Sequence, residues 1–166
     1  MTACICAILL FSAIACAERC DPPAQIVEFV RTLPDHRDEQ HASIARRLEA
    51  SPDDFWLNRL FLESAAFNHS AVREKYRDKY TAHPDSLDDE YLYARSLVRS
   101  DTKEALRIYA SILEKDPDYP WVHFSQLEIY RSPRFLDRAK VRENIRLAHS
   151  GLPGVGRAVS IFDGFG

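Results

Sequence analysis

Four prolines divide most of this chain into segments of nearly equal length. Pro52, Pro84, Pro117 and Pro153 are separated by 32, 33 and 36 residues, and an aspartate directly follows each of the first three. A helix ends near each of them, because the residue before a proline is pushed out of the α region. A period of about 34 residues is typical of helical hairpins that stack into a solenoid, since one hairpin cannot bury its apolar face alone.

The segment from Asp101 to Pro117 has the pattern of one such helix. Asp101 is predicted to cap its amino end, and Glu104 to reach back as the capping-box partner. Its apolar residues recur at helical intervals and are Ala105, Ile108, Tyr109, Ile112 and Leu113. Similar stripes predict seven further helices, near residues 24–33, 37–50, 54–67, 71–82, 87–99, 120–131 and 135–150. Ser70 is the predicted N-cap of the fourth helix, and Val141, Ile145 and Ala148 are the apolar residues of the eighth.

Three segments, residues 54–84, 88–117 and 120–153, resemble the tetratricopeptide repeat family. In the middle segment the family's positions are occupied by Tyr93, Ala94, Leu97, Ala105, Tyr109 and Pro117. Glu63 stands where the family commonly has an aromatic residue, and residues 23–52 fit only as a degenerate capping hairpin. The resemblance implies an all-α fold, a right-handed solenoid of about four hairpins, that binds a peptide or protein segment on its concave face.

The first helix of each hairpin lines that concave face in the family. The resemblance therefore implies a groove formed by eight side chains, Leu57, Phe61, Tyr91, Arg95, Trp121, Phe124, Glu128 and Arg131. Aromatic side chains flanked by charges suit a peptide with apolar anchors. The alternative is that Trp121 and Phe124 pack against the neighbouring hairpin. The lysine–asparagine set with which some family members clamp a carboxyl-terminal carboxylate is not reproduced here.

The amino terminus has the pattern of an export signal. Residues 1–17 carry no charge and are almost wholly apolar, but the apolar run of about 15 residues is short for a membrane span. It indicates either cleavage after Ala17 or lipidation of Cys16, and a buried helix is the third interpretation. Export predicts a periplasmic or outer-membrane-anchored protein, with Cys16 as the membrane attachment. All four cysteines lie within the first 20 residues, which excludes a disulfide framework in the repeat domain, residues 18–150.

Several other functions find no support in the sequence. The formal net charge of −3 gives no reason to expect nucleic acid as a partner, and the basic run at 131–146 is interpreted as a solvated helix face. His36 and His41 are five residues apart and are interpreted as part of a solvated polar stretch. No cofactor, metal site or catalytic motif is predicted, so the chain is not expected to be an enzyme.

The carboxyl-terminal segment differs from the rest of the chain. All five glycines lie in residues 151–166, and this tail either caps the last hairpin or is disordered. The sequence predicts a non-catalytic adaptor of the bacterial cell envelope that binds a protein or peptide. Two alternatives are a helper module of a longer or multi-subunit envelope enzyme and a self-associating structural module, and the oligomeric state is left open.

Overall fold

A computed structural model of the chain describes residues 22–64 and 70–151, the side chains of 148–151 excepted. Within these ranges the chain forms eight α-helices and no strand. The helices are α1 Ala24–Arg31, α2 Arg37–Ala50, α3 Phe55–Ser64, α4 Ser70–Ala82, α5 Leu87–Leu97, α6 Thr102–Lys115, α7 Pro120–Arg131 and α8 Arg138–Gly151. The prediction of an all-helical fold is confirmed for this part of the chain.

The differences from the predicted helices lie at their ends. Helix α1 stops at Arg31 rather than near residue 33, because the amide and hydroxyl of Thr32 both donate to the carbonyl of Phe29 and close the last turn. Helix α8 starts at Arg138 rather than near residue 135, because Asp137 is its cap. One carboxylate oxygen of Asp137 accepts from the backbone amides of residues 139 and 140, at 3.0 and 3.1 Å.

Asp101 caps α6 as predicted, but its partner behaves differently. The Asp101 carboxylate accepts from the amide of Glu104 at 3.1 Å. The prediction that the Glu104 carboxylate accepts from the backbone amide of Asp101 is wrong, because this carboxylate binds the Arg107 guanidinium at 2.7 and 2.8 Å. The amide of Asp101 donates instead to the carbonyl of Leu97. Ser70, predicted as an N-cap, is the first residue of α4.

The helices pack both with their neighbours in the chain and with alternate helices. The most extensive contacts join α2 to α3, α4 to α5, α5 to α6 and α7 to α8. Helix α5 also packs against α3 on one side and α7 on the other. The core between them is apolar and aromatic and includes Ile44, Leu60, Tyr76, Leu92, Ala105, Tyr109, Ile112, Trp121 and Val122.

Helix α8 differs from the prediction at one of its apolar residues. Ile145 is 41% exposed, whereas the neighbouring Asn144 is only 5% exposed. The Asn144 side-chain amide donates to the carbonyl of Lys140 at 2.9 Å, which satisfies its donor within the helix. The expectation that Ile145 belongs to the buried stripe is therefore wrong, whereas Val141 is partly buried.

Two of the proline turns are held by a buried side chain six residues further along the chain. The Asn58 amide donates to the carbonyl of Pro52 at 2.8 Å, and the His123 Nε2 donates to the carbonyl of Pro117 at 2.9 Å. Both donors are buried and belong to the helix that follows the turn. Each bond satisfies a carbonyl at the turn and fixes how the next helix leaves it.

Several predictions fall on parts of the chain outside the described residues. These are the export signal at 1–17 with Cys16, the predicted end of the third helix within 65–69, and the tail after residue 151. Among the helices that the structure describes, none is both long enough and apolar enough to cross a bilayer.

The different contributions of a buried and an exposed leucine to the free energy of unfolding can be measured directly. Leu60 is fully buried and Leu136 is 56% exposed. We expect Leu60→Ala to lower the free energy of unfolding by about 3 kcal/mol, because it leaves a cavity in the core. The matched change Leu136→Ala should cost about 0.5 kcal/mol or less. Urea unfolding followed by circular dichroism gives both values, and equal losses would contradict the packing described here.

Candidate functional site

Five of the predicted groove residues come together where α3, α5 and α7 meet: Tyr91, Arg95, Trp121, Phe124 and Glu128. They surround two residues that were not predicted as site residues, Arg59 and Glu63 of α3. Leu57 and Phe61 lie on the same helix, α3, and Arg131 is exposed at the end of α7.

Arg59 is the centre of this cluster. Its side chain is fully buried, and its guanidinium carbon lies 4.4 Å from the ring centroid of Trp121 and 5.2 Å from that of Phe124. The guanidinium donates to the hydroxyl of Tyr91 and, at 3.2 Å, to a carboxylate oxygen of Glu63. The charge is thus held by the faces of aromatic rings together with one carboxylate.

The Tyr91 hydroxyl links the cluster to α7. It lies 3.0 Å from the Ser125 hydroxyl and also accepts from Arg59. Burial raises the pKa of the Tyr91 phenol. Tyr91 therefore stays protonated at neutral pH and acts here as a hydrogen-bonding bridge between three helices.

A row of three charges of alternating sign crosses the same helices, and we call it the charge ladder: Glu63, Arg95 and Glu128. Arg95 contacts both carboxylate oxygens of Glu63 at 2.7 and 2.8 Å and a carboxylate oxygen of Glu128 at 2.7 Å. The ladder residues are separated by 32 and 33 residues. That spacing equals the separation of the first three prolines, so each ladder residue lies at the same distance along the chain from the proline before it.

Glu63 and Arg95 hold each other charged. Burial raises the pKa of the Glu63 carboxyl, but Arg95 and Arg59 oppose this and bring the pKa below its ordinary value of 4.5. Burial likewise acts to lower the pKa of Arg95, and the carboxylates of Glu63 and Glu128 raise it well above its ordinary value. Glu63 and Arg95 are consequently a fixed ion pair at neutral pH.

The structure corrects the expectation of an open aromatic groove. Leu57, Tyr91 and Trp121 are at most 2% exposed and Phe124 is 9% exposed, because their side chains fill the core or cover Arg59. Phe61 is partly buried. Glu128 and Arg131 remain at the surface. Partner binding at these positions stays a prediction, and the surface there is charged.

The prediction that His41 belongs to a solvated stretch is wrong. Its Nδ1 lies 2.9 Å from the hydroxyl of Ser64, and its ring centroid lies 4.7 Å from that of Phe61. This histidine therefore joins α2 to α3. In the part of the chain that the structure describes, no three histidine, cysteine or acidic residues are placed to hold a metal ion.

A concave region lies beside the turn between α4 and α5. This cleft of about 310 Å³ is lined by Asp53, Phe55, Lys79, His83, Ser86, Asp88, Asp89 and Leu92. Its charges are paired with one another: Lys79 Nζ lies 3.1 Å from Asp53 and 3.6 Å from Asp89. The Lys79 ammonium also donates to the carbonyl of Pro52, so the lining of the cleft stabilises the turns around it.

Comparisons of the chain with protein-family models, with curated protein sequences and with solved structures give no match. The tetratricopeptide resemblance accordingly stays a prediction from the sequence.

The charge ladder predicts a specific dependence of stability on pH. Because the pKa of Glu63 is lowered by folding, its contribution to stability is complete above the unfolded pKa and is lost as the pH falls through the folded pKa. We expect Glu63→Gln to cost about 3 kcal/mol at neutral pH, since it leaves buried cations without their carboxylate. The difference from the wild type should shrink progressively below about pH 4.5.

The matched control is Glu143→Gln. Glu143 also pairs with an arginine, Arg146, but both side chains are more than half exposed, so solvent screens the pair and we expect no measurable change. Chemical unfolding across a pH series measures both variants. A cost for Glu63→Gln that is the same at acidic and neutral pH would rule out the ion-pair explanation.

Proposed function

We propose that this chain is a non-catalytic protein-interaction adaptor of the bacterial cell envelope, built as a right-handed solenoid of tetratricopeptide-like hairpins. Its partner is a peptide or protein segment that contacts the face formed by α3, α5 and α7. Export through residues 1–17, with or without lipidation of Cys16, would bring it to the periplasm or the outer membrane.

The observation that carries this proposal is the charge ladder. Glu63, Arg95 and Glu128 join alternate helices at the spacing of the proline turns. Side-by-side packing of alternate helices is what a stack of hairpins requires, and such a stack presents one continuous surface made of the first helix of each hairpin. That surface is where an extended segment can contact several repeats at once.

The burial of the aromatic residues alters what the partner should look like. Glu128 and Arg131 are one helical turn apart and reach the surface at the α7 end of this face. A partner segment would therefore meet neighbouring charges of opposite sign rather than a row of rings. We propose a polar, charged segment, bound through ion pairs and hydrogen bonds at the rim.

Site-specific photo-crosslinking tests this function. A photoreactive amino acid replaces Arg131 on α7 or, as the control, Lys103 on α6, and both positions are exposed basic residues. We expect crosslinking in living cells to join the Arg131 position to one defined envelope protein and the Lys103 position to none.

The same experiment separates the alternatives. A crosslinked product of twice the mass of the chain would favour the self-associating module. A product that contains an enzyme subunit and changes its activity would favour the helper module. Equal labelling from both positions, or none from either, would contradict binding on the proposed face.

A further inference from the structure

The end of the described chain carries a concentration of positive charge that the overall composition hides. Between residues 131 and 147 there are six cations and two acids, a net charge of four positive in a chain whose net charge is −3. We call this region the basic surface, and its cations are Arg131, Arg134, Arg138, Lys140, Arg142 and Arg146. The remainder of the chain is therefore distinctly acidic.

Both acids within the basic surface are already engaged. Asp137 caps α8 through the backbone amides of residues 139 and 140, and Glu143 binds Arg146 at 2.6 Å. Arg138 and Arg142 are exposed, and no residue in the described ranges forms an ion pair with either. Their positive charge is thus available to a partner.

Two aliphatic side chains are exposed in the same region. Leu136 is 56% exposed and Ile145 is 41% exposed, and they are the large hydrophobic residues that the described surface leaves most open. Arg138, Arg142 and Ile145 follow one another at intervals of four and three along α8, which places them on one face of the helix. Leu136 lies in the turn just before that helix.

We propose that the basic surface docks on an anionic lipid bilayer. Arg138 and Arg142 would contact lipid phosphates, while Leu136 and Ile145 would enter the headgroup region beside them. Clusters of four to eight basic residues on an amphipathic helix are typical of such attachment. This inference goes beyond the adaptor function and is independent of lipidation at Cys16.

A lipid surface fits these observations better than an acidic protein does. The hot spots of protein interfaces are enriched in Trp and Tyr as well as Arg, and the large apolar residues exposed here are aliphatic. A bilayer needs no matching pocket and accepts cations and aliphatic groups over a broad area. The acidic remainder of the chain does not prevent this, because charges further than about 8 Å from the bilayer are largely screened at physiological salt.

Vesicle co-sedimentation of the full chain tests the proposal. The probes are vesicles of pure phosphatidylcholine and vesicles with equal parts of phosphatidylcholine and phosphatidylglycerol. Any apolar attachment by residues 1–17 acts on both kinds, so the ratio of the two partition coefficients isolates the electrostatic contribution. We expect the ratio to favour the anionic vesicles and to fall about 25-fold in Arg138→Gln with Arg142→Gln, roughly fivefold for each lost cation.

The matched control neutralises two cations elsewhere. Arg99 and Lys103 are exposed at the junction of α5 and α6, and changing both to Gln should leave the ratio within about twofold of the wild type. Helicity by circular dichroism verifies that each variant is folded. A second variant, Leu136→Ser with Ile145→Ser, should weaken binding to anionic vesicles without altering its dependence on salt.

Three results would overturn the proposal. The first is equal partitioning of the wild type onto both kinds of vesicle, and the second is an equal loss in the control and in the Arg138 and Arg142 variant. The third is that the Arg138 and Arg142 variant loses binding to polyglutamate or to single-stranded DNA but keeps its binding to anionic vesicles. That outcome would assign the basic surface to an acidic polymer instead.

Discussion

The packing of α3, α5 and α7 depends on one buried guanidinium. Arg59 is enclosed by Tyr91, Trp121 and Phe124, and it shares Glu63 with Arg95. Burying a charge costs several kcal/mol unless partners surround it, and the partners here come from three different helices. The favourable terms are therefore complete only when all three helices are in place, which makes their association cooperative. A core of aliphatic side chains alone would tolerate many more arrangements.

The proline turns supply the second constraint on how the helices are arranged. Asn58 and His123 occupy the same position after Pro52 and Pro117, and each satisfies the proline carbonyl from within the following helix. Tyr76 then donates to Asn58, so that α4 is tied to the same turn. Local chain geometry at each turn and long-range contacts at the charge ladder thus favour the same repeat, and agreement between levels is what specifies a single fold.

The helices could be predicted because apolar spacing, a capping residue or a proline indicates each of them in the local sequence. The candidate site could be predicted only in part. Glu63 occupies a position where the family pattern commonly has an aromatic residue, so it was not predicted as a site residue. The sequence does show that Glu63 and Arg95 are 32 residues apart and that Arg95 and Glu128 are 33 residues apart. Arg59 had no such signal, because an arginine becomes a core residue only through rings and carboxylates that distant segments contribute. Ile145 was predicted wrongly because apolar spacing alone does not show that the neighbouring Asn144, whose side-chain amide donates to the carbonyl of Lys140, is the buried residue.

The alternation of sign along the ladder has a consequence for the order of α3, α5 and α7. Arg95 of α5 stands between two carboxylates and is complementary to both, while α3 and α7 carry the same charge at this position. If α5 were displaced from its place between α3 and α7, Glu63 would face Glu128 and the two carboxylates would repel each other. This row of charges therefore favours arrangements in which the helix that carries Arg95 lies between the two that carry the glutamates.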